Sequence, residues 1–403
     1  LQKSPSSARD GALVIGDGYA PLAVARSLGR RGIPVWVASG PLRLATSSRY
    51  VHGCIPWPVS SAPEVRAQHL VEVAHRNHLE GWTLFAGSDA AAELIALHRK
   101  MLSDVFRIAS SSIDAVRDAL DKRRTYALAE RVGVEHPRTL YPQNADELMR
   151  LQIDYPAIVK PAIKIGWNAF IKAKAWKVPD RDQLMRRYKE ARSMVEPHSI
   201  MVQDVIPGSN QNQFSYAALC RDGIPLAGLV ARRLRQYPVE FGRASSMVET
   251  IDLPEVESVA RRMLKAMEFT GLVEVEFKRD PRDGKLKLLD INPRTWRWLS
   301  LGQRAGVDFP YLMYRLARGE KIDPIQGAVG VRWVRMSTDV LAAALEIWRG
   351  TASWRGYLGS LRPPLEFAIL ALDDLRPALL EVPHLIASDI RRLRLTSRFR
   401  RAD

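Results

Sequence analysis

"VEVEFKRDPRDGKLKLLDINPR", residues 273–294, reads as two apolar strands folded about a turn, with acids placed where a purely structural hairpin has no use for them. The "DPRDGK" stretch at 280–285 is a hairpin-turn signal. Glu276 and Asp290 are symmetric about Asp283, so the simplest antiparallel register sets them opposite each other. Directly opposed residues stand about 4.5–5.5 Å apart at Cβ, where two carboxylates repel unless positive charge lies between them. Asn292 points to the same side as Asp290 and adds a neutral oxygen, and Glu274 shares the face of Glu276 as an outer partner. A few hard oxygen ligands suit Mg²⁺ held jointly with substrate phosphates. The competing reading is a solvated hairpin face on which Lys278, Lys285 and Lys287 alternate with acids for solubility.

The whole chain has 403 residues, 46% hydrophobic and 26% charged, a globular composition long enough for two or three domains. Its net charge of +16 favours anionic partners. No nucleic-acid-binding motif or aromatic stacking platform accompanies that charge, so no specific nucleic acid is expected. Cys54 and Cys220 have neither paired spacing nor histidines nearby, which argues against a disulfide framework or structural zinc and for a reducing cytoplasm. The opening "LQKSPSSARDG" lacks a signal-peptide core and no run of 18 apolar residues follows, so neither export nor membrane spanning is expected.

Residues 1–112 read as a small doubly wound α/β domain, with a strand–loop–helix–strand unit in "ALVIGDGYAPLAVARSLGRRGIPVWVAS" and a second in "GWTLFAGSDAAAELIALHRK". Gly16 and Gly18 resemble the start of a dinucleotide fingerprint. Pro21 stands where the third glycine belongs, which leaves a tight strand-to-helix turn as the better reading. A helix is expected from about Ile113 to Val132, and α+β sheets, with helices at 180–195 and 254–269, continue to 325. Residues 326–403 read as a helical, basic extension whose tail is a solvated amphipathic helix, with weak contact to an acidic membrane surface as the alternative.

Lysines mark a second cluster. "YPAIVKP" runs an apolar strand into Lys160, and "AIKIGWNAFIKAKAWKV" places Gly166 in a turn before a strand carrying Lys172 and Lys174 on one face. Lysines flanking a glycine turn can hold a polyphosphate by charge and backbone N–H donors, although an exposed charged hairpin looks similar.

The order of these features resembles the ATP-grasp superfamily: Asp121-Lys122, a strand ending in Lys160-Pro161, a glycine-containing lid, "VQDVIPG" at 202–208, then an acidic strand and "DINPR". Within it, "NQFSYAALCRDG", "ARRLRQYPVEFGR" and "AGVDFPYL" are similar to stand-alone predicted ATP-dependent carboligases related to D-aspartate ligases. The resemblance implies an ATP-grasp domain at 113–325, its lid at about 155–205, behind a Rossmann-like pre-ATP-grasp domain. It implies an enzyme that phosphorylates a carboxylate with ATP and lets an amine displace phosphate from the acyl phosphate.

By the same resemblance, Lys122, Lys160, Lys172 and Lys174 would contact ATP, Gln203, Asp204 and Val205 would line its adenine, and Gln211 would take the ribose position usually held by an acid. Glu276, Asp290 and Asn292 would hold Mg²⁺, with Mn²⁺ as a substitute. Arg294 would meet the transferred phosphate, and Arg233 and Arg235 the substrate carboxylate. Asp290 is shorter by one methylene than the usual Glu, the lid has one glycine beside the bulky Trp167, and Trp296 and Trp298 read as packing residues. The alternative is a catalytically degenerate, nucleotide-binding regulatory module. The partners expected are a small carboxylate and an amine, with a homodimer as the default assembly.

Overall fold

The computed structural model describes residues 10–40, 44–58, 62–163, 168–173, 175–238 and 244–381. The chain divides into two compact units. One draws on the chain before Ser110, on Thr295–Ile322 and on the chain from Val331 onward; the other is Ser110–Arg294 with Asp323–Gly330.

In the first unit, four short strands form a parallel sheet, β1 (Ala12–Ile15), β2 (Val35–Ser39), β3 (Val51–Pro56) and β4 (Thr83–Ala86), in the order β3-β2-β1-β4. Helices Tyr19–Gly29, Pro63–Asn77 and Asp89–Leu97 alternate with them, and Leu13, Ile15, Leu70, Leu84 and Leu94 meet in one apolar core. The glycine turn after β1 is filled by its own acid: Asp17 accepts hydrogen bonds from Gly18 N (2.6 Å), Ala45 N (2.7 Å) and the Ser39 hydroxyl (3.1 Å). These donors are therefore occupied within the turn.

Later segments return to this unit. Trp296 is buried against Phe309 at a centroid distance of 4.9 Å and against Trp298 at 5.5 Å, which gives both tryptophans a packing role. Arg26, on an otherwise apolar helix, donates from Nε to Asp374 Oδ2 (3.0 Å) and from its terminal nitrogen to the carbonyls of Ile369 (2.7 Å) and Asp374 (2.9 Å). A buried charge pair is tolerated when such bonds satisfy it. From Val331 through residue 381 the stretch expected as a helical extension belongs to this unit, and it adds the strand pair Arg332–Val334 and Leu365–Phe367 to its helices.

Glu366, in the last of those strands, is pushed up to about 7, chiefly by burial and against the pull of Arg30, the Ser300 hydroxyl, Arg26 and Arg304. A carboxyl raised in the folded state keeps its proton where the unfolded chain has lost it, so stability falls as pH rises from about 4.5 to 7. Glu366→Gln should thus gain about 2–3 kcal/mol relative to the wild type on going from pH 4.5 to 8. Urea unfolding at the two pH values checks this; an offset independent of pH contradicts it.

The second unit holds two sheets. The smaller comprises β5 (Thr139–Leu140), β6 (Ala157–Pro161), β7 (Trp176–Val178) and β8 (Ile200–Asp204), antiparallel in the order β5-β8-β6-β7, over a core that includes Val159, Phe170, Tyr188 and Val202. In the larger, β9 (Gln213–Arg221), β10 (Ile224–Tyr237), β11 (Ala244–Ile251), β12 (Gly271–Arg279) and β13 (Leu286–Asn292) run antiparallel in the order β13-β12-β9-β10-β11. A short strand, β14 (Ile325–Gln326), adds parallel to β10. The β9–β10 turn at Asp222-Gly223 has both φ angles positive (47° and 78°), the geometry that matches the twist of a two-residue hairpin. Helix Pro254–Ala266 and the helices at 113–131 cover one face, where Val256, Ala260, Met263 and Leu128 meet Val273, Val275 and Phe277.

Two expectations are corrected here. The single helix at 113–132 is two, Ile113–Leu120 and Lys122–Arg131, because Asp121 turns extended (φ −92°, ψ 110°) and its carboxylate caps the second helix at Arg123 N, 3.0 Å away. The strand expected to carry Lys172 and Lys174 is instead a short helix, Ala169–Ala173, followed by β7. Asn168 Oδ1 accepts from Ile171 N at 2.9 Å, and burial of Phe170 and Ile171 favours the turn of helix. Among the described residues no helix is long and apolar enough to cross a membrane.

Candidate active site

Strand alternation builds the site. Val273, Val275 and Phe277 of β12 enter the core, so Glu274, Glu276 and Lys278 project from the opposite face. Across the ladder Glu276 pairs with Asp290 and Glu274 with Asn292, as the symmetry about Asp283 predicts. The reason is less simple than that symmetry. Nearer the turn the partners are Phe277–Leu288, Lys278–Lys287 and Arg279–Leu286, a register that would set Leu289 opposite Glu276. A bulge at Leu289 absorbs the extra residue and returns Asp290 to its place. The Tyr126 hydroxyl donates to the Leu289 carbonyl at 3.2 Å and so ties down the bulge.

Cations converge on these oxygens. The break at Asp121 starts a helix at Lys122, which is buried and pairs its ammonium with Asp290 Oδ1. From β10, Arg233 reaches Glu276 Oε2 at 3.3 Å and is held in place by the Ser245 hydroxyl (2.8 Å) and by the side-chain oxygens of Gln213 (2.8 Å) and Gln236 (3.0 Å). Gln213 also donates to Glu276 Oε2 at 2.9 Å. Asn292 Nδ2 donates to Glu274 Oε2 (3.1 Å) and Glu276 Oε1 (3.0 Å), and Arg294 donates to Asn292 Oδ1 (3.0 Å). The Ser215 hydroxyl donates to Glu274 Oε1 at 3.1 Å.

Burial, reinforced by the charge of Glu276, pushes the Glu274 carboxyl up to about 8, against the pull of Arg294 and Arg233. Two opposed carboxylates and an amide oxygen thus occupy a face where lysine and arginine side chains already supply positive charge. Among the described residues no group of three or more His, Cys, Asp or Glu side chains could hold a metal by themselves. The donor set fits an ion that takes part of its coordination from a phosphate ligand, as Mg²⁺ does, rather than one caged by protein.

The other expected residues are distributed as follows. Lys160 is half-buried on β6, opposite Met201. Gln203 is buried, and its amide donates to the Tyr126 hydroxyl (3.1 Å) and Thr139 Oγ1 (2.7 Å), so its side chain joins β8 to the bulge-binding Tyr126. Asp204, whose carboxyl is raised by burial, closes β8, with its N–H donating to Arg138 O at 3.0 Å, and Val205 follows it half-buried. Gln211 is exposed in the short turn Asn210–Asn212. Arg235 donates to Met247 Sδ, and register shifts on either side separate it from the Arg233 arrangement. Lys174 and residues 164–167, including Gly166 and Trp167 of the expected lid, lie outside the described residues, as do the side chain of Lys172 and the basic tail from residue 382.

Gln213, Ser215, Gln236 and Ser245 did not stand out in the sequence. Gln213 and Ser215 left one usable signal: they alternate with buried Phe214 and Tyr216 in "QFSY", which puts two polar groups on the face of the acids.

Several known proteins are similar to this chain. Residues 215–338 match the family described as "ATP-grasp in the biosynthetic pathway with Ter operon". The fold is a mixed α/β fold of the ATP-grasp type. A D-aspartate ligase from Enterococcus faecium (strain Aus0004) is 26% identical over 229 residues, which make up 54% of this chain and 54% of that protein. The chain thus spans about half the length of that relative. The solved L-amino acid ligase from Bacillus licheniformis is similar with a TM-score of 0.58 at 14% identity, covering 77% of this chain and 75% of that one. The biotin carboxylase domain dimer of the Hydrogenobacter thermophilus 2-oxoglutarate carboxylase, in complex with MgADP, ADP and bicarbonate, has a TM-score of 0.62 at 15% identity, covering 80% and 73%. The resemblance to ATP-grasp ligases and to D-aspartate ligase is borne out.

Proposed function

We propose that the chain is an ATP-dependent carboxylate–amine ligase. The observation that carries this reading is the opposition of Glu276 and Asp290 beside Asn292, with Lys122, Arg233 and Arg294 on the same oxygens. A carboxylate oxygen of one substrate attacks the γ-phosphorus of ATP and ADP leaves. The amine nitrogen of the second substrate then attacks the acyl carbon, phosphate leaves and the nitrogen gives up a proton.

Glu276, Asp290 and Asn292 would hold Mg²⁺, which supplies charge neutralisation at the phosphate oxygens, and Mn²⁺ has the same ligand preference. Lys122, ion-paired with Asp290, is assigned to the ATP phosphates. Lys160, Lys172 and Lys174 are assigned to ATP phosphates, Gln203, Asp204 and Val205 to the adenine through their main chain, and Gln211 to the ribose. Arg294 takes the transferred phosphate, for which a planar fork is suited. Arg233 and Arg235 are assigned to the substrate carboxylate; Arg233, already braced by Ser245, Gln213 and Gln236, has the geometry for it.

The domain scheme follows this reading. Residues 1–112 are assigned to the Rossmann-like pre-ATP-grasp domain, 113–325 to the ATP-grasp module, of which Thr295–Ile322 belongs to the first compact unit, and 326–403 to the C-terminal segment. A cytoplasmic homodimer is the expected form.

Phosphate release measured with a panel of amino acids, small carboxylates and amines tests the proposal. At least one acid–amine pair should stimulate ADP formation; tight ATP binding without stimulation by any pair would make the chain a nucleotide-binding regulator. Glu274 should act through Asn292. Glu274→Ala, which removes the acceptor for Asn292 Nδ2, should weaken Mg²⁺ dependence about 10- to 100-fold, whereas Glu274→Gln, which restores an acceptor, should not. Phosphate release titrated with Mg²⁺ reads both variants, and equal loss in the two contradicts the positioning role.

A further inference from the structure

Helix Met336–Trp348 carries an apolar stripe on its outer side. Thr338, Asp339, Ala342 and Ala343 are buried, while Val340, Leu341 and Trp348 face solvent, the last at 82% exposure. The next helix, Trp354–Ser360, repeats the arrangement: Tyr357 is buried, and Trp354 and Leu358 are 56% and 64% exposed. Residues 349–353 between them are exposed throughout, so the exposed stretch continues from one tryptophan to the other. A helix with an apolar outer stripe is one that something covers, and this many large apolar side chains together exceed the scatter of an ordinary surface.

Charge selects the occupant. Between residues 340 and 362 the chain carries Arg349, Arg355 and Arg362, all exposed, and a single acid, Glu346. A second copy docked through the same face would set the arginines of one face against those of the other. An anionic lipid surface satisfies both features: tryptophan settles at the headgroup level, and arginine extends to the lipid phosphates.

We propose that this surface docks the protein peripherally on an anionic bilayer, with Leu341, Trp348, Trp354 and Leu358 in the interface and Arg355 and Arg362 on the headgroup phosphates. The proposal concerns residues remote in sequence from the acidic hairpin and stands independently of the ligase reading.

The test is co-sedimentation of the full chain with phosphatidylcholine vesicles, with and without phosphatidylglycerol. Binding should require phosphatidylglycerol and weaken with salt. Trp348→Ser with Trp354→Ser should lower the partition coefficient about tenfold or more. Arg355→Gln and Arg362→Gln should each lower it about fivefold. ATP turnover without vesicles should be unchanged in all of them. Three results would overturn the proposal: no binding to phosphatidylglycerol vesicles; binding that the double tryptophan variant retains, which places the contact elsewhere in the chain; or a dimer that the double variant dissociates, which makes a second copy the occupant.

Discussion

Asp290→Asn should abolish ATP turnover, lowering it by about a thousandfold or more, because it removes one of the two opposed carboxylates that, on the proposed reading, hold a divalent ion against phosphate. The substitution keeps the shape of the side chain and an oxygen for the Ile291 N–H, now 3.0 Å from Asp290 Oδ1. It also leaves Lys122 buried beside a neutral amide. Removing one partner of a buried pair costs about 3–5 kcal/mol, so loss of activity through unfolding must be separated from loss of the metal. Thermal unfolding of Asp290→Asn, compared with Lys122→Met combined with Asp290→Asn, which removes the stranded charge, reads the stability part. The double variant should recover most of the lost thermal stability and none of the turnover. If Asp290→Asn alone retains turnover, the metal assignment is wrong.

The second large effect belongs to Arg294. Its guanidinium lies 3.0 Å from Asn292 Oδ1, at the end of the strand that carries Asp290. If it meets the phosphate during transfer, Arg294→Lys keeps the charge but loses the planar two-pronged contact. Turnover should then fall about a hundredfold while KM for ATP changes little, since the contact is strongest when charge develops in transfer. A rise in KM at unchanged kcat would instead make Arg294 a ground-state binding residue. Steady-state kinetics over a range of ATP concentrations distinguishes the two.

The hairpin was legible because strand periodicity and a "DG" turn constrain one another. Val273, Val275 and Phe277 must enter the core, so the alternate acids must leave it, and the turn sets which acid meets which. The bulge at Leu289 was not legible, since it depends on a Tyr126 hydroxyl more than 160 residues away. The two departures at the turn and at the bulge cancel at Glu276–Asp290, so the expected pairing holds through a more complicated path.

The helix break at Asp121 was masked by an apolar periodicity that runs through it from Ile113 to Val132; only the capping bond to Arg123 N decides that the chain leaves the helix there. That break matters for the site because it places Lys122 at the start of a helix, facing Asp290. At 169–173 the alternation of "NAFIKAKA" suggested a strand, and the cap from Asn168 with burial of two consecutive apolar residues turned it into a helix. Arg26 and Asp374 lie 348 positions apart, and neither carries a local signal that it is paired. Local pattern thus reached the strand faces and the acids, while long-range hydrogen bonds determined what surrounds them.

Oxygen transfer from substrate to phosphate tests the acyl-phosphate reaction most directly. With a carboxylate substrate labelled with ¹⁸O at both carboxyl oxygens, its amine partner and ATP in ordinary water, the proposed reaction should deliver one ¹⁸O atom into each phosphate released. Phosphate released without label, its new oxygen coming from water, would contradict it.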